Sequence, residues 1–154
     1  MKQLAPLLGL LLLLALLFVG LRSQRVLERG LPPRIVHENQ AAAWAAVTGK
    51  QFSAVLGTGS MAPYIPAAPA GIDPHSVVVA YAVERPGATY ADITPGALVV
   101  YRPAWNQHGR VMHPAAQLTA AGWVMSGLHN RNSEAFEPLT PAGFVGLVES
   151  VHVW

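Results

Sequence analysis

Cysteine is missing altogether from the 154 residues. That absence excludes disulfides, thiolate metal sites, a cysteine nucleophile and lipid attachment through a cysteine. Charge is scarce as well. Only 12% of residues are charged, the formal net charge is +2 and the pI is about 9.3. The arginines are scattered and form no block, so the electrostatic footprint of a nucleic-acid binder is absent. Lysine occurs twice, as Lys2 and Lys50. There is no internal repeat and no low-complexity tail. A chain of this length is expected to form one domain with appendages.

What the chain has in excess is leucine, concentrated at one end. Leu4 to Leu21 is 18 residues without a charge, 11 of them leucine. As a helix it would extend roughly 27 Å, close to the ~30 Å hydrocarbon core of a bilayer. At roughly −0.5 kcal/mol per central leucine, insertion is favourable. The run exceeds a usual cleaved h-region, and Gly20-Leu21-Arg22-Ser23 offers no small-x-small cleavage site. A retained transmembrane helix over 4–21 is therefore expected, after a short flank at 1–3.

Residues 22–50 read as a connector, with Pro32-Pro33 as a stiff spacer and a short alanine-rich helix after Asn39 that ends near Gly49. From residue 51 to 154 short β-branched runs alternate with proline and glycine, the pattern of a small mostly-β domain. The expected strands are Phe52–Leu56, Val77–Glu84, Ala97–Arg102, Gly122–Ser126 and Phe144–His152.

One segment carries chemistry: Gly57-Thr58-Gly59-Ser60-Met61-Ala62-Pro63-Tyr64-Ile65. It follows a strand and is bounded by glycines and a proline. Such a turn can point the Ser60 hydroxyl outward, and glycines let backbone N–H groups approach a carbonyl closely. Acyl transfer needs both: an exposed nucleophile and donors for the developing oxyanion.

Ser60-Met61-Ala62-Pro63 resembles the Ser-Met-x-Pro box of type I signal peptidases, and an apolar anchor before the box fits that family too. Two further stretches are similar. Thr94-Pro95-Gly96-Ala97-Leu98-Val99-Val100-Tyr101-Arg102 resembles the family's Gly-Asp-x-Val-Val strand, with Ala97 in place of the acid. Leu139-Thr140-Pro141 leads into a terminal strand from Phe144. The resemblance implies that Ser60 is the nucleophile, that Thr58 and the Ser60 backbone N–H form the oxyanion hole, and that Met61 and Pro63 line the substrate site.

A serine hydroxyl needs a base. The bacterial branch uses a lysine downstream of the serine, and no lysine follows Ser60 here. The archaeal and endoplasmic-reticulum branch uses histidine, whose ordinary pKa suits the task. His113, in Arg110-Val111-Met112-His113, is the first choice, and His108, in Asn106-Gln107-His108-Gly109, the alternative. His37, His75 and His152 read as structural. The same branch orients its histidine with an acid in Gly-Asp-x-Asn-x-x-Ser-Asp. Gly127-Leu128-His129-Asn130-Arg131-Asn132-Ser133-Glu134 aligns with it without a gap, so the resemblance implies Glu134 as the orienting acid, with Glu137 as fallback. Leu128 departs from the pattern. His129 lacks the partners of a metal ligand set.

The expected protein is thus a single-pass membrane serine endopeptidase. Its substrate is a protein or peptide, its other partner is the lipid bilayer, and it needs no cofactor, metal or nucleic acid. The arginines at 22, 25, 29 and 34 favour a cytoplasmic C-terminal side. The resemblance implies the opposite side, and a catalytic domain outside the cytoplasm is the expectation adopted. Two other readings remain open: a catalytically inactive anchored β domain that binds a partner, and a maturation peptidase dedicated to one substrate.

Overall fold

The computed structural model describes residues 4–36, 41–106, 108–129 and 134–153, with the backbone alone at 4–9, 20–25, 36, 41, 42, 44 and 134–137. Helix α1 runs from Leu4 to Arg29. The helix was expected to stop at residue 21, but Arg22 to Arg29 are mostly good helix formers and nothing breaks the ladder before Gly30 and Pro32-Pro33. From Leu10 to Val19 nine large apolar side chains are each 53–65% exposed. Among the described residues no helix is long and apolar enough to cross a membrane. The side chains at 4–9, 20 and 21, which belong to the expected span, lie outside that set.

The remainder is mostly β. A short parallel strand, β1 (Arg34–Val36), follows the double proline, and helix α2 (Ala41–Thr48) is the alanine-rich segment, closed by Gly49 at φ +65°. Seven more strands follow: β2 (Phe52–Leu56), β3 (Val78–Glu84), β4 (Leu98–Tyr101), β5 (Val111–Thr119), β6 (Gly122–Met125), β7 (Glu134–Leu139) and β8 (Phe144–Val153). They form one curled half-barrel sheet in the order β2-β3-β8-β4-β5-β6-β7, with β1 also paired to β8. Five of these strands coincide, within two residues at each end, with the β-branched runs. Strands β1, β5 and β7 do not. Each is preceded or interrupted by proline, which argues against a strand when read along the sequence alone.

Strand β8 organises the sheet. Its first half pairs antiparallel with β4, Val99 opposite Leu147. Its second half lies between β3 and β1, so that Val151 faces both Ala82 and Arg34. Strand β4 is buried along its whole length. Leu98 and Val100 enter one core with Met61, Ile65, Val79 and Val151, while Val99 and Tyr101 enter a second with Trp123, Met125 and Leu147. The alternation of a strand thus divides the domain into two cores. Strand β5 changes partner along its length: His113 opposes Val99 of β4, and Leu118 opposes Trp123 of β6. Pro114 sits at the hand-over, where its carbonyl accepts from the Ser126 N–H.

The segment between the helix and the sheet is tied to the Ser60 loop. The Tyr64 hydroxyl donates to the Pro32 carbonyl at 2.6 Å, and Arg34 Nη1 donates to the carbonyls of Pro63 and Tyr64 at 3.3 and 3.0 Å. Burial pushes the Tyr64 phenol up to about 12.

The end of α1 also docks on the β domain. Leu27 is buried. A Cβ added at Gly30 would fall 2.2 Å from the Gly96 carbonyl carbon, and one at Gly96 would fall 2.5 Å from the Val26 carbonyl oxygen. Backbone meets backbone here, so no side chain can yield. Gly30→Ala is therefore expected to cost about 1–3 kcal/mol through overpacking, lowering the melting temperature by about 5 °C. Gly71→Ala, at φ +83° but in open space, is expected to cost less. Thermal melts of the two variants check this order.

Candidate active site

Ser60 lies in a tight loop after β2 whose backbone is closed by its own hydrogen bonds. The Thr58 N–H donates to the Leu56 carbonyl, the Ala62 N–H to Gly59 and the Ile65 N–H to Met61. Gly59 takes φ +82°, a conformation that side-chain-bearing residues rarely adopt. Gly57 is packed so closely on Ala68 that a Cβ would meet its backbone nitrogen at 2.5 Å.

The loop brings Ser60 to His113 of β5. Ser60 Oγ lies 2.9 Å from His113 Nε2 and 3.3 Å from Thr58 Oγ1. Position 113 was the preferred choice for the base, and it is the histidine that reaches the serine. His108, the alternative, is exposed in the turn before β5. Met61 is buried beneath the serine loop and lines the cleft. Pro63 is exposed and does not line it; its carbonyl instead holds Arg34.

His113 is only 5% exposed, and burial pushes its imidazole down to about 4. At neutral pH the ring is therefore uncharged and has a lone pair to offer. Its other nitrogen, Nδ1, lies 3.2 Å from the Tyr101 hydroxyl. If Nδ1 carries the proton and donates to the Tyr101 oxygen, Nε2 is left to accept from Ser60. That is the tautomer general-base catalysis requires.

Reading the sequence missed Tyr101, which looks like any aromatic at the end of a β-branched strand. The register reveals it. Val99 opposes His113 and Tyr101 opposes Val111, so Tyr101 is the diagonal neighbour of His113 on the same face. Glu134, expected as the orienting acid, opens β7 with its backbone opposite Met125. Its side chain, that of Glu137 and all of residues 130–133 lie outside the described residues.

The loop aligned with the acid-bearing motif does meet the serine, through backbone. The His129 N–H donates to the Ser60 carbonyl at 2.9 Å, and a Cβ on Gly127 would fall 2.7 Å from that same oxygen. Leu128 packs on the core that contains Met61. At this position, then, an apolar side chain helps hold the floor of the site. The cleft in front of Ser60 and His113 has a volume of about 520 Å³ and is walled by β2 and the start of β5.

Comparison with family models, curated proteins and solved structures returned no match.

Two outcomes follow from the buried imidazole. An unfolded histidine takes a proton near pH 6.5, whereas folded His113 resists until about pH 4. Its contribution to stability is full above about pH 6.5 and is lost progressively as the pH falls toward 4, amounting to about 3 kcal/mol. Urea titrations at pH 7 and pH 4.5 should show this loss, reduced in His113→Gln. Tyr101→Phe keeps the ring and its packing. It should lower any Ser60-dependent rate by about tenfold and move the midpoint of the acid limb, read from a pH–rate profile.

Proposed function

We propose that this chain is a membrane-anchored serine endopeptidase of the Ser/His signal-peptidase type. The observation that carries this reading is the 2.9 Å contact between Ser60 Oγ and the buried His113 Nε2 at one wall of a peptide-sized cleft. Ser60 attacks the scissile carbonyl while His113 Nε2 takes its proton. Thr58 Oγ1 and the Ser60 N–H stabilise the oxyanion, and His113 returns the proton to the leaving amine. Water then attacks the acyl-enzyme, with the same imidazole as base. The low basicity of His113 means that neutral imidazole persists well below the ordinary histidine range, so the rate should rise near pH 4 rather than near pH 6–7.

The anchor is part of the same reading. The exposed apolar side chains from Leu10 to Val19 have the surface expected of a helix in lipid. Their continuity with the leucine-rich run supports a single span, and the family resemblance implies a β domain outside the cytoplasm. Substrates are then exported proteins, cut close to the bilayer.

Ser60→Ala and His113→Ala should each lower processing of a signal-bearing pre-protein by about 10⁴-fold, followed on a gel, and Ser60→Ala should abolish labelling by a fluorophosphonate. Full processing by the Ser60→Ala protein would end the proposal. A reporter fused after Trp154 should be active only outside the cytoplasm.

A further inference from the structure

The cleft is also lined by Ser53 and Arg110, polar groups that the serine chemistry does not use. Glu84, at the end of β3, is buried, and its carboxylate packs over Gly146, where a Cβ would fall 2.8 Å from Oε2. Ser53 of β2, also buried, donates its hydroxyl to Glu84 Oε1 at 2.8 Å. Arg110 Nη1 donates to Ser53 Oγ at 2.9 Å but stands 3.8 Å from Glu84 Oε1. The carboxylate therefore holds the guanidinium at second hand, through a hydroxyl. It does not take up the guanidinium's planar fork of five N–H donors, the geometry that suits a carboxylate partner.

Arg110 is 43% exposed at its side chain and lines the same cleft as Ser60. No aspartate or glutamate is among the described residues that line the cleft. Its wall therefore presents a guanidinium whose acid, the buried Glu84 at 3.8 Å, does not line the cleft. Arg110 stands just before β5 and His113 is the third residue of that strand, so the two backbones are at most about 10 Å apart along the chain. An extended peptide with its scissile carbonyl at Ser60 covers that distance in about three residues.

We propose that Arg110, braced by Ser53 and Glu84, is an anion-accepting subsite, so that the peptide taken by this cleft carries an acidic side chain about three residues from the bond that Ser60 attacks. The position of the bond rests on the peptidase reading, while the recognition of the acid does not.

The test uses the full chain in detergent and a pool of randomised ten-residue peptides, with cleavage products sequenced by mass spectrometry. Asp and Glu should be enriched about tenfold at one position two to four residues from the cut. The enrichment should vanish in Arg110→Gln and give way to Lys and Arg in Arg110→Glu. The double variant Glu84→Gln/Arg110→Gln, which leaves no buried carboxylate behind, covers the case in which Arg110→Gln does not fold. Cleavage by the unaltered protein without acid enrichment, or enrichment that persists without Arg110, overturns the proposal. Retention of the pool by the Ser60→Ala protein separates the two claims. Acid-selective retention without cleavage by the unaltered protein removes the peptidase and leaves the subsite. Cleavage without acid selection does the reverse.

Discussion

The contact between Ser60 and His113 joins positions 53 residues apart, and most of the local structure serves to hold its two ends. One end is a loop with no regular structure. It keeps its shape through three short backbone turns, a glycine in the left-handed region, and the His129 N–H on the Ser60 carbonyl. The other end is a strand whose register is fixed by β4 on one side and β6 on the other. A one-residue slip of β5 would turn His113 to the opposite face, so the pairing of Val99 with His113 is as much a part of the site as the imidazole itself.

Burial governs the electrostatics of that pair. Water is excluded from His113, so the neutral ring is favoured. A weaker base takes the serine proton less readily, but it stays available over a wider range of pH. The surroundings that depress the imidazole also strengthen its hydrogen bonds to Ser60 and Tyr101, because both act in a medium of low dielectric. Arg110 obeys the opposite rule. Its side chain is 43% exposed, so part of the guanidinium faces solvent while Nη1 is held by Ser53.

Much of this was legible in the residues. The β-branched runs between prolines located five strands, and the glycine-flanked serine located the loop. The absence of any lysine after Lys50 made histidine the expected base, and His113 is the histidine that lies against Ser60. What stayed hidden depends on pairing between distant segments. Strand β5 is interrupted by Pro114, tolerated only because the strand changes partner there. Tyr101 and Arg110 carry no local signal, since an aromatic at a strand end and an arginine before a strand are ordinary. Each acquires a role only when another strand is laid beside it. Leu128 departs from the acid of the aligned motif, whereas in the fold it is a partly buried residue packed against the core that contains Met61.

The glycine pair at positions 30 and 96 has a mechanical meaning. Only Gly30 to Pro33 separates the last residue of α1 from the first residue of β1, and that stretch is held from both sides, by Gly96 and by the Tyr64 and Arg34 clamps on the Ser60 loop. The helix is a fixed mount and not a tether. Whatever sets the direction of α1 therefore also sets the position and aim of the cleft. Slack inserted after Gly30 would uncouple the direction of the helix from the aim of the cleft.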